Sequence, residues 1–106
     1  MNRDHLTELQ TYLGMRAVTR RPLPRIECAD GFSLSVQAGE TIYCSPRSDI
    51  GPWEEVEVGF PSAVEPLLLE YAEEPGRWTD TVYPYVPIEL VASVIEVHGG
   101  VKRDGT

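Results

Sequence analysis

Two histidines, two cysteines and nine cations are few for a chain of 106 residues, and each scarcity closes off chemistry. His5 and His98 have no cysteine or carboxylate cluster at a ligand spacing around them, so no metal site is expected. Cys28 and Cys44 fit no metal spacing and, in a reducing compartment, read as free buried thiols. Neither GxGxxG nor GxxxxGK[ST] is present, and no stretch approaches the roughly 20 apolar residues that span a bilayer. The start MNRDHLTELQ lacks the apolar middle of a signal peptide. The expectation is a protein of the cytosol, with no membrane partner and no cofactor.

Positive charge is scarce in a patterned way. Residues 1–25 hold Arg3, Arg16, Arg20, Arg21 and Arg25 against Asp4 and Glu8, a net of +3. Residues 26–101 hold fourteen acids and only Arg47 and Arg77, a net of −12, and residues 102–106 add +1, which recovers the formal −8. So acidic a body cannot neutralise a polyanion, so direct nucleic-acid binding is not expected. The surplus serves solubility, or it imitates a run of phosphates for a basic channel on another protein.

What is present suits one small globular domain, with 42% apolar and 25% charged residues. Leu6, Leu9 and Leu13 recur at helical spacing, which predicts a helix over residues 3–14 with Gly14 at its end. AVTRRPLPR, residues 17–25, then reads as an exposed, extended, arginine-rich linker. Asp30-Gly31 predicts a tight hairpin turn into a strand with Phe32, Leu34 and Val36 inward and Ser33, Ser35 and Gln37 outward. TIYC, residues 41–44, reads as a third strand ended by Pro46. EEVEVGF reads as a fourth, with Val56, Val58 and Phe60 on one face and an acidic face bearing Glu55 and Glu57, next to Glu54.

Residues 62–74 suit a helix or a strand, and Pro66 in a first turn favours a short helix. TVYPYV carries Pro84, which confines it to an edge or a bulge. Residues 87–98 form the clearest helix, with Ile88, Val91, Ala92 and Ile95 in one stripe and Gly99-Gly100 as a left-handed end. The tail, residues 102–106, is expected to fray. The fold class is therefore α+β: an N-terminal helix, an antiparallel sheet of four to five short strands, and a C-terminal helix packed on the sheet. Residues 1–25 stand as helix and linker, and 26–101 as the domain.

No catalytic group emerges. Cys44 and His98 could form a thiol–imidazole pair, but His98 is better explained as a cation offsetting a helix C-terminus. The lone body cations are the better candidates. Arg47 lies in YCSPRSDIGPW with Tyr43 and Trp53, and Arg77 sits beside Trp78 in EPGRWTD. Each either pins its loop through an internal ion pair or forms a recognition surface with the tryptophans; Tyr43, Tyr83 and Tyr85 either extend that surface or are partly buried strand aromatics.

The succession YCSPR, VEVGFPS, TVYPYVP and IEVHGGV resembles a group of small proteins encoded by tailed bacteriophages and prophages, over residues 26–101. That group brings no catalytic residues. The resemblance implies a phage accessory protein acting in the bacterial cytosol, and by analogy of class a counter-defence, anti-CRISPR-like role. The expected function is a non-enzymatic inhibitor that occupies a surface of a host protein or complex, self-associating as a homodimer through an edge strand or helix. Two alternatives stand beside it: capture of a nucleotide signal by Arg47, Arg77 and the tryptophans between subunits, and a structural role in virion assembly.

Overall fold

A computed structural model describes residues 3–19 and 22–102, with side chains omitted for residues 3, 4 and 16–19. The chain runs α1 (Arg3–Thr19), β1 (Ile26–Glu27), β2 (Ser33–Gln37), β3 (Glu55–Gly59), a 3-10 helix (Pro66–Tyr71), β4 (Val82–Pro87) and α2 (Ile88–Val97). The four strands form one antiparallel sheet in sequence order. This is the α+β architecture expected from the periodicities.

Alternation in β2 and β3 drives the core. Leu34, Val36, Val56 and Val58 have no exposed surface, while Ser35, Glu55 and Glu57 on the opposite face are half-buried. Leu9 and Leu13 of α1 join Val91, Val94 and Ile95 of α2 in the same cluster. The N-terminal helix is thus part of the core rather than an appendage. Burying each such aliphatic side chain contributes about 1.5–3 kcal/mol.

Several expectations needed correction. The first helix passes through Gly14 to Thr19, where a glycine within a helix costs about 1 kcal/mol but is tolerated, so the linker begins later. Arg20, Arg21 and residues 103–106 lie outside the described residues. Within the linker Leu23 is buried, because the chain there lies over Gln37: the Leu23 amide donates to Gln37 Oε1 at 3.0 Å and Gln37 Nε2 donates to the Leu23 carbonyl at 2.9 Å. Gln37 keeps the face expected for it, with Ser35, but that end of the face is covered and not solvated.

No strand forms over residues 41–44. Ile42 N–H donates to Gly39 O and Cys44 N–H to Ile42 O in local turns, and the stretch touches the sheet at two points alone among the described residues: the Tyr43 carbonyl accepts from the Tyr85 amide, and Ser45 makes a single bridge to Glu55. Phe60 also departs from its expected face. Its backbone is left-handed, with φ 48°, so the chain leaves β3 and the ring is 46% exposed.

Both sheet edges are occupied. Beyond β1, Val101 bridges Cys28 while the Ala29 amide donates to Gly100 O and the Lys102 amide to Glu27 O. Beyond β4, the Glu73 amide donates to Val82 O and the Tyr85 amide to Tyr43 O, and Pro84 and Pro87 have no amide hydrogen. Residues 62–74 resolve into the 3-10 helix, whose first amide, at Leu67, donates to the Glu65 carboxylate and whose Leu68 is buried.

Candidate functional site

The loop over residues 40–53 is built inward around Trp53 and outward around Arg47. Trp53 is 2% exposed, and its indole Nε1 donates to the Ser48 carbonyl at 2.9 Å. Its backbone is gripped from α1 by Gln10, which donates to Trp53 O at 2.8 Å and accepts from Trp53 N–H at 3.0 Å. Gly51 exists to admit the ring, since a Cβ there would stand 2.6 Å from it. Trp53 is therefore a core residue that anchors the loop, and it offers no surface to a partner.

Cys44 is likewise a fastener. Its single S–H has the Gly39 and Pro46 carbonyls within reach as acceptors, and its sulfur accepts from the Gly39 amide. With its sulfur committed there and His98 committed elsewhere, the thiol–imidazole pair is not assembled. Cys28 is buried, and burial with the nearby Asp30 carboxylate pushes its thiol up to about 11. Both cysteines are free.

The two lone arginines part company. Arg77 pairs with Glu74 at 3.1 Å and with Asp80, closing its own loop, and the Asp80 hydrogen bond and charge hold its guanidinium above the usual range. Tyr83, a candidate contact aromatic, takes its other reading: it is a fully buried strand residue and donates its hydroxyl to the Trp78 carbonyl. Trp78 is half-buried beside that hinge. The Arg77 loop is thus a self-contained staple.

Arg47 forms no ion pair with any described residue. Its Nε donates to the Ile42 carbonyl at 3.2 Å, and its guanidinium carbon lies 5.6 Å from the centre of the Tyr43 ring, within cation–π range. The carboxylate in its own loop, Asp49, instead accepts from the Glu40 amide at 2.9 Å. Tyr43 meets Tyr85 with ring centres 6.0 Å apart, tilted by 41°, and both rings are more than two-fifths exposed. An arginine and two tyrosines make one continuous outward strip.

Tyr85 occupies that strip at a cost. Val58 pairs with Tyr83 but Val56 with Val86, so Pro84 and Tyr85 together face one residue of β3 in a bulge. Tyr85 is left-handed there, with φ 54°, a conformation that strains a residue with a Cβ by about 1–3 kcal/mol. The bulge turns its amide to the Tyr43 carbonyl at 3.1 Å and its ring to the Tyr43 ring. Pro84 marked this irregularity in the sequence; nothing there marked its partner.

The acidic residues Glu54, Glu55 and Glu57 do not form one face. Glu54 is exposed at the strand start, and Glu55 and Glu57 alternate on a sheet face whose β2 neighbours include Ser35 and Gln37. Among the described residues no group of histidines, cysteines and carboxylates converges as a metal site.

Periodicity missed a cluster at the far end of α2. His98 Nδ1 lies 2.6 Å from Asp30 Oδ2 and Nε2 lies 2.7 Å from Glu65 Oε1, while the ring stacks on Phe32 with centres 4.0 Å apart and planes 11° from parallel. Burial pulls the imidazole pKa down, but the hydrogen bonds it donates to the Glu65 and Asp30 carboxylates outweigh that and hold it above its ordinary value. The Phe32 amide and then His98 hold the Asp30 carboxyl below its own. With both ring nitrogens taken, His98 is no general base. These partners lie 68 and 33 residues away in sequence, so no local spacing could have joined them.

No protein-family model matches the chain, and no significant similarity links it to a curated protein or to a solved structure. Among the described residues no helix is long and apolar enough to cross a membrane.

Proposed function

We propose that the chain is a non-enzymatic binding protein whose contact surface is the strip of Tyr43, Arg47 and Tyr85. The observation that carries this reading is the state of Arg47. In a body with fourteen acids and two cations, its guanidinium forms no ion pair with a described carboxylate and is displayed over an exposed tyrosine. Arginine and tyrosine are the residue types that concentrate binding energy, because each adds charge or a hydroxyl to a large flat apolar area. The strained backbone of Tyr85 supports the same reading, since strain of this kind persists at sites where a side chain must be aimed.

The resemblance to phage-encoded accessory proteins favours a particular setting: the bacterial cytosol during infection, with a host defence protein or complex as the target. Nucleotide capture by both arginines and both tryptophans has less support, because Arg77 is satisfied by Glu74 and Asp80 and Trp53 is buried. A virion role keeps its own test, mass spectrometry of purified particles. Dimerisation through a bare sheet edge loses support for the same kind of reason, since both edges are occupied.

The decisive experiment is phage plating on defence-bearing strains that express the protein or its Arg47→Glu and Tyr43→Ala/Tyr85→Ala variants. The expected outcome is protection by the natural chain and loss of protection by both folded variants, by tenfold or more where each contact is worth about 1.4 kcal/mol or above. Equal plating with and without the natural chain across such strains overturns the counter-defence role. Protection that survives both variants overturns the assignment of the surface.

A further inference from the structure

The His98 cluster has no part in the contact strip, yet it is the most highly organised set of ionisable groups among the described residues. We propose that charged His98 is a proton-operated latch that fastens the β1–β2 turn and the segment entering the 3-10 helix to the end of α2. Three stretches distant in sequence meet at one imidazole. Asp30 belongs to the turn, Glu65 caps the 3-10 helix, and His98 closes α2.

Each carboxylate also does a second job, so the latch reaches the backbone. Asp30 Oδ1 accepts from the Phe32 amide at 2.9 Å, and Glu65 Oε2 accepts from the Leu67 amide at 2.9 Å. The Asp30 amide in turn donates to the His98 carbonyl at 3.2 Å. An imidazolium has two N–H donors and can serve both carboxylates, whereas neutral imidazole has one. On deprotonation one nitrogen's lone pair must face a carboxylate oxygen. The Glu65 side chain is only 6% exposed and Asp30 is 49% exposed. Water can replace the ring at Asp30 but not at Glu65, so the turn is the end that lets go.

Among the described residues no second cation is paired with either carboxylate. Phe32 covers one ring face, and Cys28, next to Asp30, stays a neutral thiol with its pKa near 11. From α1, His5 approaches Gly100 and is itself paired with Glu8 at 3.1 Å. Glu96 lies two residues back on α2, and Lys102, beyond Gly100, is tied by its amide to Glu27. The folded state holds the His98 proton more tightly than the unfolded chain does. The latch is therefore complete below about pH 6.5 and is lost as pH rises through the higher value in the folded protein. On the acid side Asp30, whose pKa is depressed, contributes above about pH 3.9 and is lost as pH falls through its folded value.

NMR of the His98 ring nitrogens over about pH 5 to 9, with amide exchange at Phe32 and Leu67, tests this. The expected titration midpoint lies above about 6.5, with both nitrogens protonated below it. Glu65→Gln and Asp30→Asn each lower the midpoint, and each unit lost corresponds to a tenfold change in proton affinity. Protection at Phe32, corrected for intrinsic exchange, falls across the midpoint before that at Leu67. A midpoint at or below 6.5, or Phe32 protection flat across the titration, overturns the latch. The titration uses the natural chain, so it decides the matter even where a variant fails to fold.

Discussion

At the scale of single residues, the sequence separates what a side chain is from what it has been given to do. Arg47 and Arg77 look alike as lone cations in acidic loops, and only coordinates show that one is satisfied and the other displayed. Trp53 and Tyr83 carried the chemistry of contact residues but are spent on the core. Their burial was not legible because an exposed and a buried aromatic read the same outside a periodic element. Tyr85 shows the reverse, a strand residue bent outward by a bulge. Tyr85→Gly removes the Cβ from a left-handed position, so the expected outcome is an unfolding free energy unchanged or raised by up to about 1 kcal/mol, with Tm following it, together with loss of the proposed partner binding. A drop of several degrees in Tm would show instead that the ring stabilises the fold.

At the scale of elements, periodicity was a dependable guide where a face is buried. It placed β2, β3 and α2 within a residue or two, because Leu34, Val36, Val56, Val58 and the Val91–Ile95 stripe each meet the core. It failed where local backbone turns replace a strand, as in residues 41–44, and it could not show that the chain at Leu23 covers Gln37. The ambiguous residues 62–74 became a 3-10 helix because Glu65 caps it and Leu68 plugs it. Leu68→Ala is expected to lower stability by about 2–5 kcal/mol, measured by urea denaturation, since Leu68 is fully buried against β4. The exposed neighbour Leu67, truncated in the same way, is expected to cost well under half as much.

At the scale of the whole molecule, charge and shape carry different information. The formal charge of −8 is a property of surface and solubility, and it repels itself. Raising ionic strength from about 0.01 M to 0.15 M shortens the screening length from about 30 Å to 8 Å, so a higher Tm is the expected result of calorimetry at constant pH. A fall in Tm would mean that attractive pairs such as Arg77 with Glu74 and Asp80 outweigh the repulsion.

The closure of both sheet edges has a further consequence. With the amides around β4 and β1 already committed, a visitor finds little main chain to zip onto. On the proposed binding role, recognition falls to side chains, and side chains on loops can be exchanged one at a time while the scaffold stays still. Such a protein can change its partner by point substitution, without first having to solve its fold again.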